Sequence, residues 1–401
     1  MHNFNKKLSI GLLALAVLSP INGIQPALAS GSGSAPTSSA PATQSETHSV
    51  KDLKFIDSQT IPNNTQFGNT KVGGISGITY NPNNNKWLLL SDDRSEQNAS
   101  RFYEAQLNYN HKQFKHLKLK KVHTLKQANG ETYTDKKHFK KNSNDIVADP
   151  ESIRFDPLYN QILYTSEGDR TLGLNPFIRF ATTKGDFISD IPINPIQKMD
   201  KQKKQGFRNN LALEGSTFST DGQSLWTSME APLLQDGAEP TPTSGGQSRI
   251  TQYDRAGNLL TEFAYPLDAI PKAPGKGKHA ENGVSEILAI SDHEFLTLER
   301  ASVQASDDSF KNYVRIYKVN TQNATDIKHL KSVKDGNIRP VKKQLIANLN
   351  SKDIAHIDNI EGMSFGKKLP NGHDSLVIAA DDNFNKAQKS QFLAFEVIPE
   401  S

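Results

Sequence analysis

Glu151, Glu214 and Glu361 each open a short segment of one pattern: an acid, a small or polar residue, an apolar or small residue, any residue, then an aromatic. The segments read Glu151-Ser152-Ile153-Arg154-Phe155, Glu214-Gly215-Ser216-Thr217-Phe218 and Glu361-Gly362-Met363-Ser364-Phe365. Ser76-Gly77-Ile78-Thr79-Tyr80 and Ser285-Glu286-Ile287-Leu288-Ala289 follow it with Ser in the first place, and the last of these ends in Ala. Downstream of each, a second apolar run ends in acid: Asp92 and Asp93, Glu167, Glu230, Glu299, and Asp381 and Asp382. Arg94, Arg170 and Arg300 follow those acids by one to three residues. Carboxylates gathered with Asn, Ser and water are the donor set of a hard cation such as Ca²⁺, and Asn210, Asn282 and Asn383 lie close to the motifs. A bound cation beside Arg could hold a phosphate ester and activate water. The plainer role is a latch, in which each Glu accepts hydrogen bonds from backbone or pairs with Arg and ties one repeat to the next. Recurrence in every repeat favours the latch, because a single site does not need the same residue five times. Spacing alone does not separate these three roles.

The elements that must position these acids follow from the repeat. The patterns begin at residues 76, 151, 214, 285 and 361, so their separations are 75, 63, 71 and 76. A self-similar period of about 71 residues marks a repeat architecture with loop insertions. Each pattern is followed by a breaker-rich turn, such as Asn81-Pro82-Asn83-Asn84 or Asp221-Gly222, and then by the acid-terminated apolar run. Those runs are short and rich in β-branched or aromatic residues, which reads as buried strand. Two further strands follow in most repeats, as in 249–254 with 259–265, 177–181 with 187–191, and 313–319 with 344–349. Four antiparallel strands per repeat make a propeller blade. The last repeat supplies only a third strand, 391–398, while a spare strand, 53–61, precedes the first repeat. If that N-terminal strand completes the last blade, no sheet edge is left unpaired. The expected fold is all-β: a single β-propeller of about five four-stranded blades, with a sixth only if an insertion hides a degenerate one. In such a blade the first strand starts, and the second ends, at the same rim. Leading and trailing acids therefore converge at the channel mouth.

Lys6 and Lys7, the apolar run from Leu8 to Ser19 and Ala27-Leu28-Ala29 form the pattern of a cleaved secretory leader over residues 1–29. Residues 30–49 are Gly, Ser, Ala, Pro and Thr with almost no large apolar side chain, which reads as a flexible linker. Roughly 350 residues then remain for the propeller over 50–401. No Cys follows the apolar run, so a lipoprotein anchor is excluded, and a periplasmic or secreted location is expected. The absence of Cys also removes thiolate nucleophiles and Cys-ligated zinc, and leaves stability to the core. No later stretch reaches the length of a membrane span. Loss of the leader removes Lys6 and Lys7 and no acid, so the formal charge falls from +4 to +2. That balance argues against nucleic acid or an anionic membrane as the main partner. The basic runs 136–141 and 198–204 read as solvated loops. A Gly-x-Ser-x-Gly elbow, an Arg-His-Gly run, a His-Glu-x-x-His helix and a phosphate-binding Gly-Lys-Ser/Thr loop are all absent.

The phrases Gly74-Ile75-Ser76-Gly77-Ile78, Asp149-Pro150-Glu151-Ser152-Ile153, Leu213-Glu214-Gly215, Asn282-Gly283-Val284-Ser285-Glu286 and Asn359-Ile360-Glu361-Gly362-Met363 resemble those of the phytase-like family, described as the esterase-like activity of phytase domain. The resemblance covers nearly the whole mature chain, from Gly73 to Pro399. It implies a repeated β domain with characteristic Glu and Asp residues, found in exported bacterial proteins, and suggests phosphoester or ester hydrolysis. The calcium-dependent β-propeller phytases are similar in architecture, but their motif set is not found here. The leading expectation is an exported, monomeric hydrolase of a small phosphorylated or ester substrate, assisted by Ca²⁺ or a similar cation and needing no organic cofactor. Its candidate catalytic residues are Glu151, Glu214, Glu361, Arg94, Arg170 and Arg300. Its candidate metal ligands are Asp92, Asp93, Glu167, Glu230, Glu299, Asp381 and Asp382. The alternative is a non-catalytic binding propeller that presents its channel mouth to a ligand or another envelope protein.

Overall fold

Apolar residues in the second strand of each repeat run on without alternating, because both faces of that strand are covered. A computed structural model, which describes residues 46–141 and 143–400, shows what covers them. The leader and most of the linker expected before residue 50 lie outside the described residues.

The chain forms five four-stranded antiparallel sheets and one small hairpin. The strand β1 (Asp52–Ile61) comes first, and β2 (Gln66–Phe67) with β3 (Thr70–Lys71) makes the hairpin. Blade one is β4 (Ile75–Asn81), β5 (Lys86–Ser91), β6 (Arg101–Tyr109) and β7 (Phe114–Thr124). Blade two is β8 (Pro150–Asp156), β9 (Gln161–Ser166), β10 (Phe177–Thr182) and β11 (Phe187–Ile191). Blade three is β12 (Leu213–Phe218), β13 (Ser224–Met229), β14 (Gly246–Asp254) and β15 (Leu259–Leu267). Blade four is β16 (Ala280–Ala289), β17 (Glu294–Gln304), β18 (Phe310–Asn320) and β19 (Lys342–Asn348). Blade five has β20 (Asn359–Phe365), β21 (Ser375–Asp381) and β22 (Ser390–Ile398), and its fourth strand is β1, paired from Asp52↔Ile398 to Ile61↔Ser390. The first strands β4, β8, β12, β16 and β20 each contact the next, and β20 contacts β4. The molecule is a five-bladed β-propeller, with no sixth blade among the described residues. None of its helices is long and apolar enough to cross a membrane among the residues described.

The core lies in five layers, one between each pair of neighbouring blades. In β21, Leu376, Ile378 and Ala380 pack toward blade four against Leu296, Leu298 and Ile316. The intervening Val377 and Ala379 pack toward blade one against Ile78, Trp87 and Leu89. Strand alternation thus feeds two cores at once, which is why the run reads as continuously apolar.

Every inner strand carries a bulge at the same place. The register shifts between Ile75 and Gly77, Pro150 and Ile153, Leu213 and Ser216, Val284 and Glu286, and Ile360 and Gly362. The residue thrown out of register is the first of the repeated pattern: Ser76, Glu151, Glu214, Ser285 or Glu361. A bulge leaves that residue unpaired and re-aims its side chain. The residue after it must let the next blade come close. A Cβ on Gly215 would lie 2.7 Å from the Ile287 nitrogen, and Gly77 and Gly362 face the next inner strand in the same way.

Blade two places Arg154 across the channel. Its Nε donates to the Ser216 carbonyl at 2.6 Å, Nη1 to the Ile78 carbonyl at 2.9 Å, and Nη2 to the Ile287 carbonyl at 3.2 Å. Nη2 also pairs with Glu286 Oε2 at 2.6 Å. One guanidinium therefore joins blade two to blades one, three and four. Glu286 stands in blade four where blades one, three and five have Gly. Burial pushes its carboxyl up to about 7, against the pull of Arg154 and of backbone donors. Replacing Arg154 by Met should leave Glu286 buried without a cation and cost about 3–5 kcal/mol in urea unfolding. The double change Arg154→Met with Glu286→Leu should recover part of that loss; equal stability of the wild type and Arg154→Met would refute the bridging role.

Candidate functional site

Bulges and strand ends bring acids together at one mouth of the channel. Glu151, Glu214 and Glu361 arrive from the bulges, and Asp92, Glu167, Glu230 and Asp381 from the strands beside them. Asp149 and Glu281 join them, so nine carboxyls act on one another in this space. Two overlapping triplets have oxygens within 4.8 Å of each other: Asp149, Glu151 and Glu167, and Glu167, Glu214 and Glu230. Glu167 belongs to both, and its Oε1 also accepts from the Ala212 N–H at 2.5 Å. Gly283 makes room for this packing, since a Cβ there would lie 2.3 Å from Glu230 Cγ.

Positive charge in the mouth is scarce. Arg300 reaches Glu230 and Glu281, both at 3.2 Å, and Glu361 at 3.6 Å. Arg94 pairs with Asp169 at 2.6 Å and lies 3.5 Å from Asp149. Nine carboxyls facing two guanidiniums cannot all stay ionised, and the acidities follow. Burial first, then like charge, raises Asp92, Glu151, Glu214 and Asp381 well above the carboxylate range. Burial and Asp149 push Glu167 up to about 8, while Glu214 hydrogen-bonds to it. Burial pushes Asp149 up to about 6 against the pull of Arg94. It also raises Glu230 and Glu361, although Arg300 opposes it at both. Glu281 goes the other way: burial would raise it, but Arg300 and His279 together hold it low.

Other expected site residues lie elsewhere or are already occupied. Asp93 accepts the Glu96, Gln97 and Asn98 N–H groups at 2.8–3.0 Å and pairs with the buried Arg101 at 2.6 Å, which makes it the clamp of a loop. Asp382 Oδ1 accepts from the Gly74 and Phe384 N–H groups and shapes the turn beside the mouth. Glu299 is enclosed by Tyr265 of blade three and by Asn282, Arg315 and Lys343 of blade four, so its lone pairs are taken between those two blades. Arg170 donates to the carbonyls of Lys203, Gln205 and Phe207 and pins a surface loop. Lysines of the runs 136–141 and 198–204 are exposed, as solvated loops should be. Asp149, Glu281 and Asn359 were not singled out from the sequence. Asp149 and Asn359 stand two residues before Glu151 and Glu361, and Asn359 Nδ2 donates to Glu361 at 2.8 Å. Asp149 precedes β8, and the bulges interrupt strand alternation at Glu151 and Glu361, so two-residue spacing alone does not mark these pairs.

A family model described as phytase-like, with esterase-like activity of phytase, matches residues 70–384. The chain belongs to the phytase-like family. The match spans all the inner strands, and hence every bulge that supplies the mouth of this phytase-like propeller. No curated protein sequence matches it. Among solved structures, it is similar to a member of the DUF4221 family from Bacteroides vulgatus at 8% identity and TM-score 0.37, covering 89% of this chain and 100% of that one. It is also similar to a thermostable family-43 glycoside hydrolase at 12% identity and TM-score 0.40, covering 85% and 94%. A glucose dehydrogenase matches at 9% identity and TM-score 0.34, covering 89% and 99%.

The raised acidities set a sign for stability. Asp149 and Glu167 titrate near their ordinary values, 3.8 and 4.5, when unfolded, and at about 6 and about 8 when folded. Between those limits the folded chain binds more protons, so the contribution of these two groups is full below pH 4 and falls as pH rises toward 8. Each such proton is worth about 1.4 kcal/mol per pH unit over its interval. In chelator, the urea midpoint should therefore drop from pH 4 to 8, and Ca²⁺ should restore it at pH 8. A midpoint that is flat over this range in chelator would contradict the crowding of carboxyls.

Proposed function

We propose that this protein is an exported hydrolase of phosphoesters that works with a divalent cation at the acidic channel mouth. The observation that carries the reading is the pair of carboxyl triplets joined through Glu167. Every donor there is a carboxylate oxygen, several converge within coordination reach, and too few guanidiniums are present to neutralise them. That is the chemistry of a Ca²⁺ site rather than of zinc or copper. Asp149, Glu167, Glu214 and Glu230 would hold the ion, with Glu151 beside it. Bound there, it would polarise a phosphoryl oxygen and acidify water.

The chain's own groups do the rest. Arg300 offers guanidinium N–H groups to phosphate oxygens, and its Nε has no hydrogen-bond partner within the protein. Glu230, Glu281 and Glu361 fix its direction. Glu151 is half-buried, whereas the other two members of its triplet are buried, so it is the carboxylate placed to take a proton from attacking water. Water adds to phosphorus, the bond from phosphorus to the alcohol oxygen breaks, and the departing oxygen takes the proton that Glu151 accepted from water. Pairing with Arg300 and Arg94, and the backbone N–H groups that Glu167 and Asp381 accept, are what a latch would look like; they leave Asp92, Glu151 and Glu214 to meet other carboxyls.

The test is phosphate release from a panel of phosphate esters by the chain recovered from the envelope or medium, where N-terminal sequencing should begin at Ser30. Release should need Ca²⁺, stop with chelator, and fall by about 10²-fold or more in Glu214→Gln. A folded, calcium-loaded protein that releases nothing would leave a cation-binding scaffold in place of an enzyme.

The reading also takes the β1–β22 pairing as the clasp that closes the ring. Deleting residues 1–61 should bare the β22 edge, lower the melting temperature by about 5 °C or more and promote self-association on gel filtration. A truncated chain that stays monomeric with unchanged melting would count against the clasp.

A further inference from the structure

We propose that the cleft between blades four and five takes an uncharged polyhydroxylated group, so that the substrate is a monophosphate ester of a sugar-like polyol. This rests on the hydrolase reading and narrows it. The cleft has a volume of about 640 Å³ and shares Arg300, Glu281 and Glu361 with the acidic mouth. That size falls within the range of small-molecule pockets, about 300–1,000 Å³. A group lying in it would have its phosphate end at the mouth.

The lining is unlike that of an apolar pocket. Six neutral amides line it: Asn210, Asn312, Asn359, Asn383, Asn385 and Gln388. Each amide both donates and accepts, as each hydroxyl of a polyol does. Phe310 lines the cleft and is 57% exposed, a large apolar ring open to solvent. Such a ring offers a flat surface to the C–H face of a sugar. Two buried atoms in the lining have no partner: the acceptor Asn312 Oδ1 and the donor Arg300 Nε. Their residues are only 8% and 7% exposed, so solvent is a poor substitute. Buried polar groups without partners are rare and costly. A polyol hydroxyl donating to Asn312 Oδ1 would satisfy the first, and a phosphate oxygen at the mouth the second.

The charge of the cleft sets the number of phosphates. No lysine lines it, and its single guanidinium, Arg300, already faces Glu230, Glu281 and Glu361. Asp308 is already paired with Lys278 and Asp358 with His356, so neither pair leaves a free cation for another phosphate. A second or third phosphate on the ring would lie against carboxylates without a cation to meet it. The cleft therefore favours one phosphate, held at the mouth, and disfavours the densely phosphorylated ring that the family's description brings to mind.

The experiment is a titration of the full chain in Ca²⁺ with hexose, pentose and glycerol monophosphates and with phytate, followed by ligand-observed NMR and by phosphate release. At least one monophosphate should bind saturably, and its affinity should fall about tenfold or more in Phe310→Ala and in Asn312→Leu. Calcium affinity and melting temperature should stay unchanged in both variants, which shows that the mouth and fold are intact. Absence of saturable binding across the monophosphates, binding insensitive to both substitutions, or faster release from phytate than from every monoester would overturn the assignment. If no ester is hydrolysed but a monophosphate binds and loses affinity in the variants, the hydrolase reading fails and the polyol cleft stands.

Discussion

Like charge confined at one end of a channel is the constraint on which this molecule turns. Nine carboxyls share the mouth with two guanidiniums, and burial makes each ionised form costlier still. Left to themselves, such groups would pull the inner strands apart. Three features oppose this. Apolar layers between every pair of blades resist splaying, the glycines after the bulges let neighbouring inner strands meet at van der Waals distance, and Arg154 ties four blades together below the mouth. Stability is therefore spent at the site and recovered in the walls, a division expected where a fold holds groups for chemistry rather than for its own cohesion.

The acids fall into two populations that share a sequence context. Asp93, Asp382 and Glu299 accept backbone N–H groups or meet cations in their own blades, and they are finished as structural groups. Asp92, Glu151, Glu167 and Glu214 mostly meet other carboxyls. Adjacent residues on a strand end point to opposite sides, so Asp92 and Asp93 divide between the two populations although they are neighbours.

This explains how much the sequence could disclose. The blade count, the strand order and the convergence of leading and trailing acids were legible, because a period of about 71 residues and antiparallel geometry determine them. Glu151, Glu214 and Glu361 could be placed at the mouth from the repeat alone. Membership of each trailing acid could not, since it depends on what the other side of the strand finds to bond. Arg170 and Glu299 were grouped with the site because their spacing matched, whereas loop carbonyls and Lys343 claim them in space. Arg154 was hidden for another reason. It occupies the variable place of the pattern, filled by Thr79, Thr217, Leu288 and Ser364 in the other blades, so no repeat signal could mark it.

Arg154 has a further consequence. A guanidinium bonded to carbonyls on three other blades couples four inner strands at one point, so a shift of any one of them is passed to the other three.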